Sequence, residues 1–244
     1  MVPQQKALAV IWDFDGTIAD SRRKNFNVTN KIVKSILGTN PELFPVLTSL
    51  DSYHSAHTKS VNWREFYRNS FNLTKEQVDE AGRLWTEFQL KDQTPVPLID
   101  GVEETIKKLC DYPQGIVSQN SRENIIQYLN ENNISQYFNT VIGYEEVDIT
   151  RQKPLPDGLL KCVDKLVNSD SGCVAFIGDH ETDVQCVLNA NNVIKGNGIN
   201  LKIISLGAFY GIDVDTSNWG VLPDYEITKA EMIPDIINNF QFGT

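Results

Sequence analysis

No stretch of this chain of 244 residues approaches the roughly 20 consecutive apolar residues that a membrane-spanning helix requires, so no bilayer helix is read from it. Basic residues are also scarce: 22 lysines and arginines face 32 aspartates and glutamates, a formal net charge of -10. That balance argues against a broad cationic surface for DNA or RNA and gives no support to anchoring on an anionic membrane. A small anionic substrate is still compatible with it, provided positive charge is concentrated locally. Only four cysteines are present, Cys110, Cys162, Cys173 and Cys186, with no close pairing of the metal-ligand kind, and reduced core residues are expected at all four. The start, residues 1–6, lacks a secretory pattern. Neither an internal repeat nor a low-complexity segment is present. The expectation is a soluble cytoplasmic protein, a monomer by default, since one core and an appendage account for the apolar positions.

What the chain does have is enough apolar content, 41%, for one full core plus a smaller appendage. Residues 7–12 form a short apolar run ending at Asp13-Phe14-Asp15-Gly16, the pattern of a buried strand that delivers acids to a loop at its C-terminal end. Further strands are predicted at 115–118, 140–143, 173–178, 202–206 and 225–227. Helices are predicted between them at 102–110, 122–132, 156–167, 182–190 and 229–239, with apolar residues spaced for one buried face. The alternation implies an α/β fold, a Rossmann-like parallel sheet with helices on both faces, whose ligands bind at the C-terminal ends of strands. Residues 191–200, rich in Asn and Gly, read as an exposed loop.

Residues 20–93 break the alternation. They are helix-like and polar, with Trp63, Phe66, Tyr67, Phe71, Trp85 and Phe88 available for a small core of their own. Thr94-Pro95-Val96-Pro97 restricts the backbone where the chain returns to the sheet. The predicted organisation is therefore a core of 1–19 with 94–244, and an inserted α-helical cap domain of 20–93.

Asp13 and Asp15 stand two residues apart at a strand end, where one acid can attack a phosphate ester and the other can handle protons. Asp-Gly after a strand also suits ordinary turn chemistry. A second apolar run ends in carboxylates at Gly178-Asp179-His180-Glu181-Thr182-Asp183, so two strand ends offer four aspartates. Gathering Asp13, Asp15, Asp179 and Asp183 in one cleft would be costly through repulsion without a cation, and an oxygen-only set suits Mg²⁺. Alone, the second cluster also fits a helix N-terminus whose dipole is complemented by acids. Transfer of a phosphoryl group further needs donors for its equatorial oxygens. Ser118, followed by Gln119-Asn120-Ser121 and a helix whose first amides can bind an anion, is one candidate, although Ser118 also reads as part of a helix cap for which Ser121 is better placed. Lys153, in the proline-flanked run Arg151-Gln152-Lys153-Pro154-Leu155-Pro156, is the other, against the ordinary expectation of a solvated surface lysine. Arg151 is a lower-ranked phosphate ligand.

In this order, Asp13-Phe14-Asp15-Gly16-Thr17, Ser118, Lys153-Pro154 and Gly178-Asp179 through Asp183 resemble the four motifs of the haloacid dehalogenase superfamily, across nearly the whole chain. The helical insertion after the first motif resembles that superfamily's first type of cap, as in phosphoglycolate-phosphatase-like and β-phosphoglucomutase-like members. The resemblance implies a Mg²⁺-dependent phosphatase acting on a small phosphorylated metabolite through an aspartyl-phosphate. It implies that Asp13 is nucleophile and metal ligand, and that Asp15 is the acid/base and lends a backbone carbonyl to Mg²⁺. Asp179 would complete the protein ligation, Asp183 would be an outer or additional ligand, and Ser118 and Lys153 would bind the phosphoryl group with Asn120 at its edge. Gln119 and His180 depart from the commoner residues of relatives, and the long 191–200 loop departs from their shorter connection. A dehalogenase is disfavoured by the presence of Asp15; a phosphosugar mutase and a non-catalytic phosphate-binding module are the alternatives. His54, His57, Lys59, Arg64 and Arg68 of the cap are sources of anion recognition, or else ordinary polar surface.

Overall fold

The computed structural model describes residues 4–60, 62–211 and 216–241; of the start read for a secretory pattern, residues 1–3 lie outside them. Along the chain, Gln4–Gln5 (β1) and Ala9–Trp12 (β2) precede four helices, Arg22–Leu37 (α1), Leu50–Thr58 (α2), Trp63–Phe71 (α3) and Lys75–Lys91 (α4). Then follow Val102–Lys108 (α5), Gln114–Val117 (β3), Arg122–Glu131 (α6), Thr140–Ile142 (β4), Asp157–Leu166 (α7), Ser171–Gly178 (β5), Glu181–Gly196 (α8), Asn200–Ala208 (β6), Tyr225–Ile227 (β7), Ile233–Asn238 (α9) and Phe240–Gln241 (β8). The chain divides into two compact units, Met1–Ala19 with Leu98–Thr244, and Asp20–Pro97.

In the first unit six strands form one parallel sheet in the order β4-β3-β2-β5-β6-β7, while β1 and β8 make a separate antiparallel pair. The strand that carries the first acidic motif is central, with all four of its residues buried. Its two faces meet different partners. Ala9 and Ile11 pack with Val117, Val174, Phe176 and Ile203 against Leu159, Cys162 and Val163 of α7 and Cys186, Val187, Ala190 and Ile194 of α8. On the same face Gly115 lies so close to α7 that a Cβ there would come within 2.6 Å of the Cys162 sulfur. Trp12 faces the other way: its indole donates to the Gln114 side chain at 3.0 Å, and the Gln114 amide donates to the Ile106 and Leu109 carbonyls at the end of α5. Helices therefore cover both faces, and a buried polar pair is satisfied where one face meets α5.

Three sequence expectations are corrected. Residues 191–196 are the last turns of α8 and not a loop, which leaves residues 197–199 to connect α8 to β6. Burial of Ala190 and Ile194 fixes the inner face, and the Asn191 amide both donates to the Ile203 carbonyl and accepts from the Ile203 amide, each at 2.8 Å. Tertiary contacts outweigh the low helix propensity of the asparagines there. The second correction is Cys110, which lies beyond the end of α5 and is exposed, whereas Cys162, Cys173 and Cys186 are buried and all four are free. Burial pushes the Cys173 thiol up to about 11 and the Cys186 thiol up to about 12, so both are held as thiols. The helix expected over 229–239 begins instead with a 3-10 turn, Ala230–Met232, before Pro234 opens α9.

The second unit is four helices around an aromatic core. Phe66, Tyr67 and Phe71 of α3 are buried with Val28, Ile32 and Val33 of α1 and Val78 and Ala81 of α4; Trp63, Trp85 and Phe88 are partly buried against them. Helix α4 starts from a capping box in which Thr74 and Gln77 satisfy each other's backbone amides. It ends at Asp92, whose side chain is 3% exposed and accepts from Lys31 of α1 at 2.5 Å and from the Thr94 amide at 2.8 Å. Burial works to raise the Asp92 pKa, but these hydrogen bonds outweigh it and hold the carboxyl below its usual range. A depressed carboxyl stabilises the fold above its unfolded pKa and loses that contribution as pH falls through the folded one. Asp92→Asn is expected to cost about 1–2 kcal/mol at pH 7, with the difference from the native chain shrinking toward pH 4 in paired thermal melts.

Candidate active site

The two acidic motifs lie at the C-terminal ends of neighbouring strands, β2 and β5, whose parallel pairing matches Trp12 to Ile177. Asp13 therefore leaves its strand beside Gly178 and Asp179, and its amide bonds the Ile177 carbonyl at 2.7 Å. Carboxylate oxygens of Asp13, Asp179 and Asp183 lie within 4.8 Å of one another. Between Asp13 and Asp183 sits the ammonium of Lys153, 2.6 Å from one and 2.7 Å from the other, and 5.0 Å from the centre of the Phe176 ring. Lys153 is only 7% exposed, so the solvated-surface reading does not hold. Arg151 is turned instead to an exposed ion pair with Asp157.

Electrostatics follow from this packing. Burial pushes the Asp13 carboxyl well above the usual carboxylate range; attraction to Lys153 works against that, and repulsion by Asp183 and Asp179 adds to it. Burial, then Asp183, pushes the Asp179 carboxyl up to about 7. For Lys153 burial opposes the charge, but Asp13 and Asp183 overcome it, so the ammonium is held more firmly than a free one. The cluster thus has more negative charge than one ammonium balances. Its donors are all carboxylate oxygens, the set that a hard dication such as Mg²⁺ prefers, and such an ion would reverse the upward shifts. The residues fit a divalent metal on both counts.

Local structure explains how each group is held. Gly16 has φ +83°, and a Cβ there would collide with the Asp179 carboxylate, so the turn after Asp15 requires glycine. Thr17 donates from its hydroxyl to Asp179 at 3.2 Å, and the Tyr210 hydroxyl donates to the Thr17 carbonyl at 3.1 Å. These two residues of the site were not among the sequence candidates; adjacency to the Asp-Gly turn was the available signal for Thr17, and nothing local marked Tyr210. Asp183 serves twice: one oxygen takes the Lys153 ammonium and the other accepts the His180 amide, closing the capping box of α8. The same Asp183 side chain thus belongs both to the helix terminus and to the carboxylate cluster.

Asp15 stands apart from the three-carboxylate group, and both its oxygens accept from the Asn120 amide, at 3.3 and 3.0 Å. Ser118 is buried, with its hydroxyl oxygen accepting from the Asn120 amide nitrogen at 3.1 Å, and the cap of α6 is Ser121. Of the first amides of α6, that of Arg122 donates to the Glu145 side chain and that of Asn124 to the Ser121 hydroxyl; ahead of the helix, those of Asn120 and Ser121 donate to the Ser118 and Asn120 side chains. In the second unit, His57 packs against the rings of Tyr53 and Phe66, Arg64 stacks 4.0 Å over the Trp63 ring, and Lys59 and Arg68 are exposed. His54 lies close enough to Asp20 to help lower its pKa, behind the larger effect of Arg22.

Among the described residues no helix is long and apolar enough to cross a membrane. The family model of haloacid dehalogenase-like hydrolases matches residues 10–194. The chain is 24% identical over 206 residues to the pyrophosphatase PpaX of Bacillus velezensis, covering 81% of this chain and 86% of that protein. Among solved structures, a provisionally named phosphoglycolate phosphatase from Lactobacillus plantarum superposes with a TM-score of 0.74 at 18% identity, over 95% of this chain and 99% of that one. A haloacid dehalogenase-like family hydrolase from Streptococcus pneumoniae gives a TM-score of 0.68 at 18% identity, over 94% and 97%. These structural likenesses carry the fold.

Proposed function

The chain belongs to the haloacid dehalogenase-like hydrolase family, and on that premise we propose that it is a Mg²⁺-dependent phosphatase of small phosphate monoesters, working through a phosphorylated Asp13. The observation that supports this reading most directly is the buried Lys153 ammonium between Asp13 and Asp183, with Asp179 completing the cluster. A buried cation next to a strand-end carboxylate has little structural purpose, since apolar packing would serve the fold as well.

In the proposed reaction an Asp13 oxygen attacks the phosphorus and the ester P–O bond breaks, with Asp15 giving its proton to the departing alkoxide. Water then loses a proton to Asp15 and attacks the aspartyl-phosphate, releasing inorganic phosphate and restoring Asp13. Asn120 holds Asp15 as a hydrogen-bond acceptor, the form that takes the proton from water. Ser118 and Lys153 would bind the phosphoryl oxygens, with Asn120 at their edge. Asp13, Asp179 and the Asp15 carbonyl would hold Mg²⁺, with Asp183 an outer or additional ligand, and the ion would supply positive charge against that of the transferred group.

The test is phosphate release from a broad panel of phosphate monoesters, with Mg²⁺ and with chelator. Release that requires the metal is the expected result. Phosphate moved between sugar hydroxyls without release would instead identify a mutase, and metal binding with neither outcome would identify a binding module.

A further inference from the structure

Lys153 sits on no helix or strand. It belongs to the irregular segment ahead of α7, and a long side chain on such a segment is only as well placed as its backbone. Here the backbone is fastened by side chains from two other elements. The Gln119 amide donates to the Lys153 carbonyl at 2.9 Å, and the Asn189 amide of α8 donates to the Pro154 carbonyl at 2.9 Å. One residue further on, the Cys186 thiol donates to the Leu155 carbonyl at 3.4 Å. Gln119 directly follows Ser118, so its side chain joins the two segments that carry the phosphoryl-binding groups of the proposed reaction.

From this geometry we infer that Gln119, seconded by Asn189, is a positioning residue that sets the Lys153 ammonium relative to Ser118 for binding the phosphoryl group. The inference rests on the phosphatase reading above. It also gives Gln119 a purpose that its departure from the smaller residue of relatives left open: an asparagine there is one methylene shorter, and the carbonyl it must reach belongs to a segment 34 residues away in sequence. The Gln119 and Asn189 side chains bond backbone carbonyls and reach the carboxylates of Asp13 and Asp183 only through the Lys153 ammonium, so phosphate affinity should fall more than metal affinity.

The experiment compares the native chain with Gln119→Met, which keeps length and loses the donor, and with Asn189→Leu, which releases the other end of the same turn. Inhibition by inorganic phosphate, KM and kcat for an ester from the panel, Mg²⁺ dependence and thermal midpoint are measured on each. Both variants should bind inorganic phosphate roughly tenfold more weakly and show a raised KM, with the Mg²⁺ requirement unchanged, since a misplaced binding group costs affinity steeply. Lowered midpoint and kcat with unchanged phosphate inhibition would mark a merely structural role and overturn the inference. So would two variants inhibited as well as the native chain. A native chain that neither hydrolyses esters nor binds phosphate would overturn the phosphatase reading, and this inference with it.

Discussion

Asp13→Asn is expected to eliminate phosphate release, with a loss of roughly 10³-fold or more in kcat, because an amide cannot serve as the attacking carboxylate. The substitution is nearly isosteric, in a strand end that is 7% exposed, so the chain should still fold. Its effect on stability has two opposing parts. One buried carboxylate with a strongly raised pKa disappears, which relieves repulsion with Asp183 and Asp179; Lys153 also loses its partner at 2.6 Å and keeps Asp183 alone. Turnover and a thermal melt on the same preparation separate the chemistry from folding. Native-like melting without turnover supports Asp13 as nucleophile, and retained turnover would place the nucleophile elsewhere.

Lys153→Met should be the most damaging change to the metal-free fold. Removing one partner of a buried ion pair strands the other, typically at a cost of 3–5 kcal/mol, and here two carboxylates are stranded together. About 3 kcal/mol is expected at pH 7.5 in chelator. The loss should shrink at lower pH, because the stranded Asp13 carboxyl, already raised well above the usual carboxylate range by burial, takes up a proton and sheds its charge. Saturating Mg²⁺ should recover part of it, since an ion that binds only the folded chain adds about 2.7 kcal/mol at one hundred times its dissociation constant. Activity should not recover, because the ion does not replace the phosphoryl-binding ammonium that Lys153 supplies in the proposed reaction. Denaturant titrations with chelator and with Mg²⁺ give both numbers; equal stability of native and variant chains in chelator would contradict the buried ion pairs.

Much of the sheet was legible because each strand is an apolar run with turn residues at its end, and the run at 225–227 is reproduced residue for residue. The acids of the first motif were legible for the same reason, since an apolar strand that stops abruptly at Asp13 advertises a functional end. Lys153 was legible only in combination. Its local sequence is that of a surface turn, and the carboxylates that bury it are supplied by residues 13 and 183, so no window around it contains the cause. Residues 191–196 failed in the opposite direction: Asn and Gly composition argued for a loop, while the deciding contacts come from Ile203 on the next strand and from the buried face of the helix. Cys110 was misjudged because the helix that would have turned it inward stops at Lys108. Thr17 and Tyr210 show a further limit, since neither a hydroxyl that bonds a carboxylate nor one that bonds the backbone beside it has a distinctive spacing in sequence.

The central place of β2 also governs when the site comes into being during synthesis. Asp13 is made well before much of what surrounds it: its strand is flanked by β3 on one side and β5 on the other, and the β5 partners of Ala9–Trp12 are residues 174–177. Pairings so distant in sequence carry a large loop-closure cost and form late. Until that closure Asp13 lacks Asp179 and Asp183 beside it, and Lys153 lacks the second of the two carboxylates that hold its ammonium. Assembly of the carboxylate cluster is thereby tied to synthesis of β5 and the start of α8, and the order of the strands enforces it.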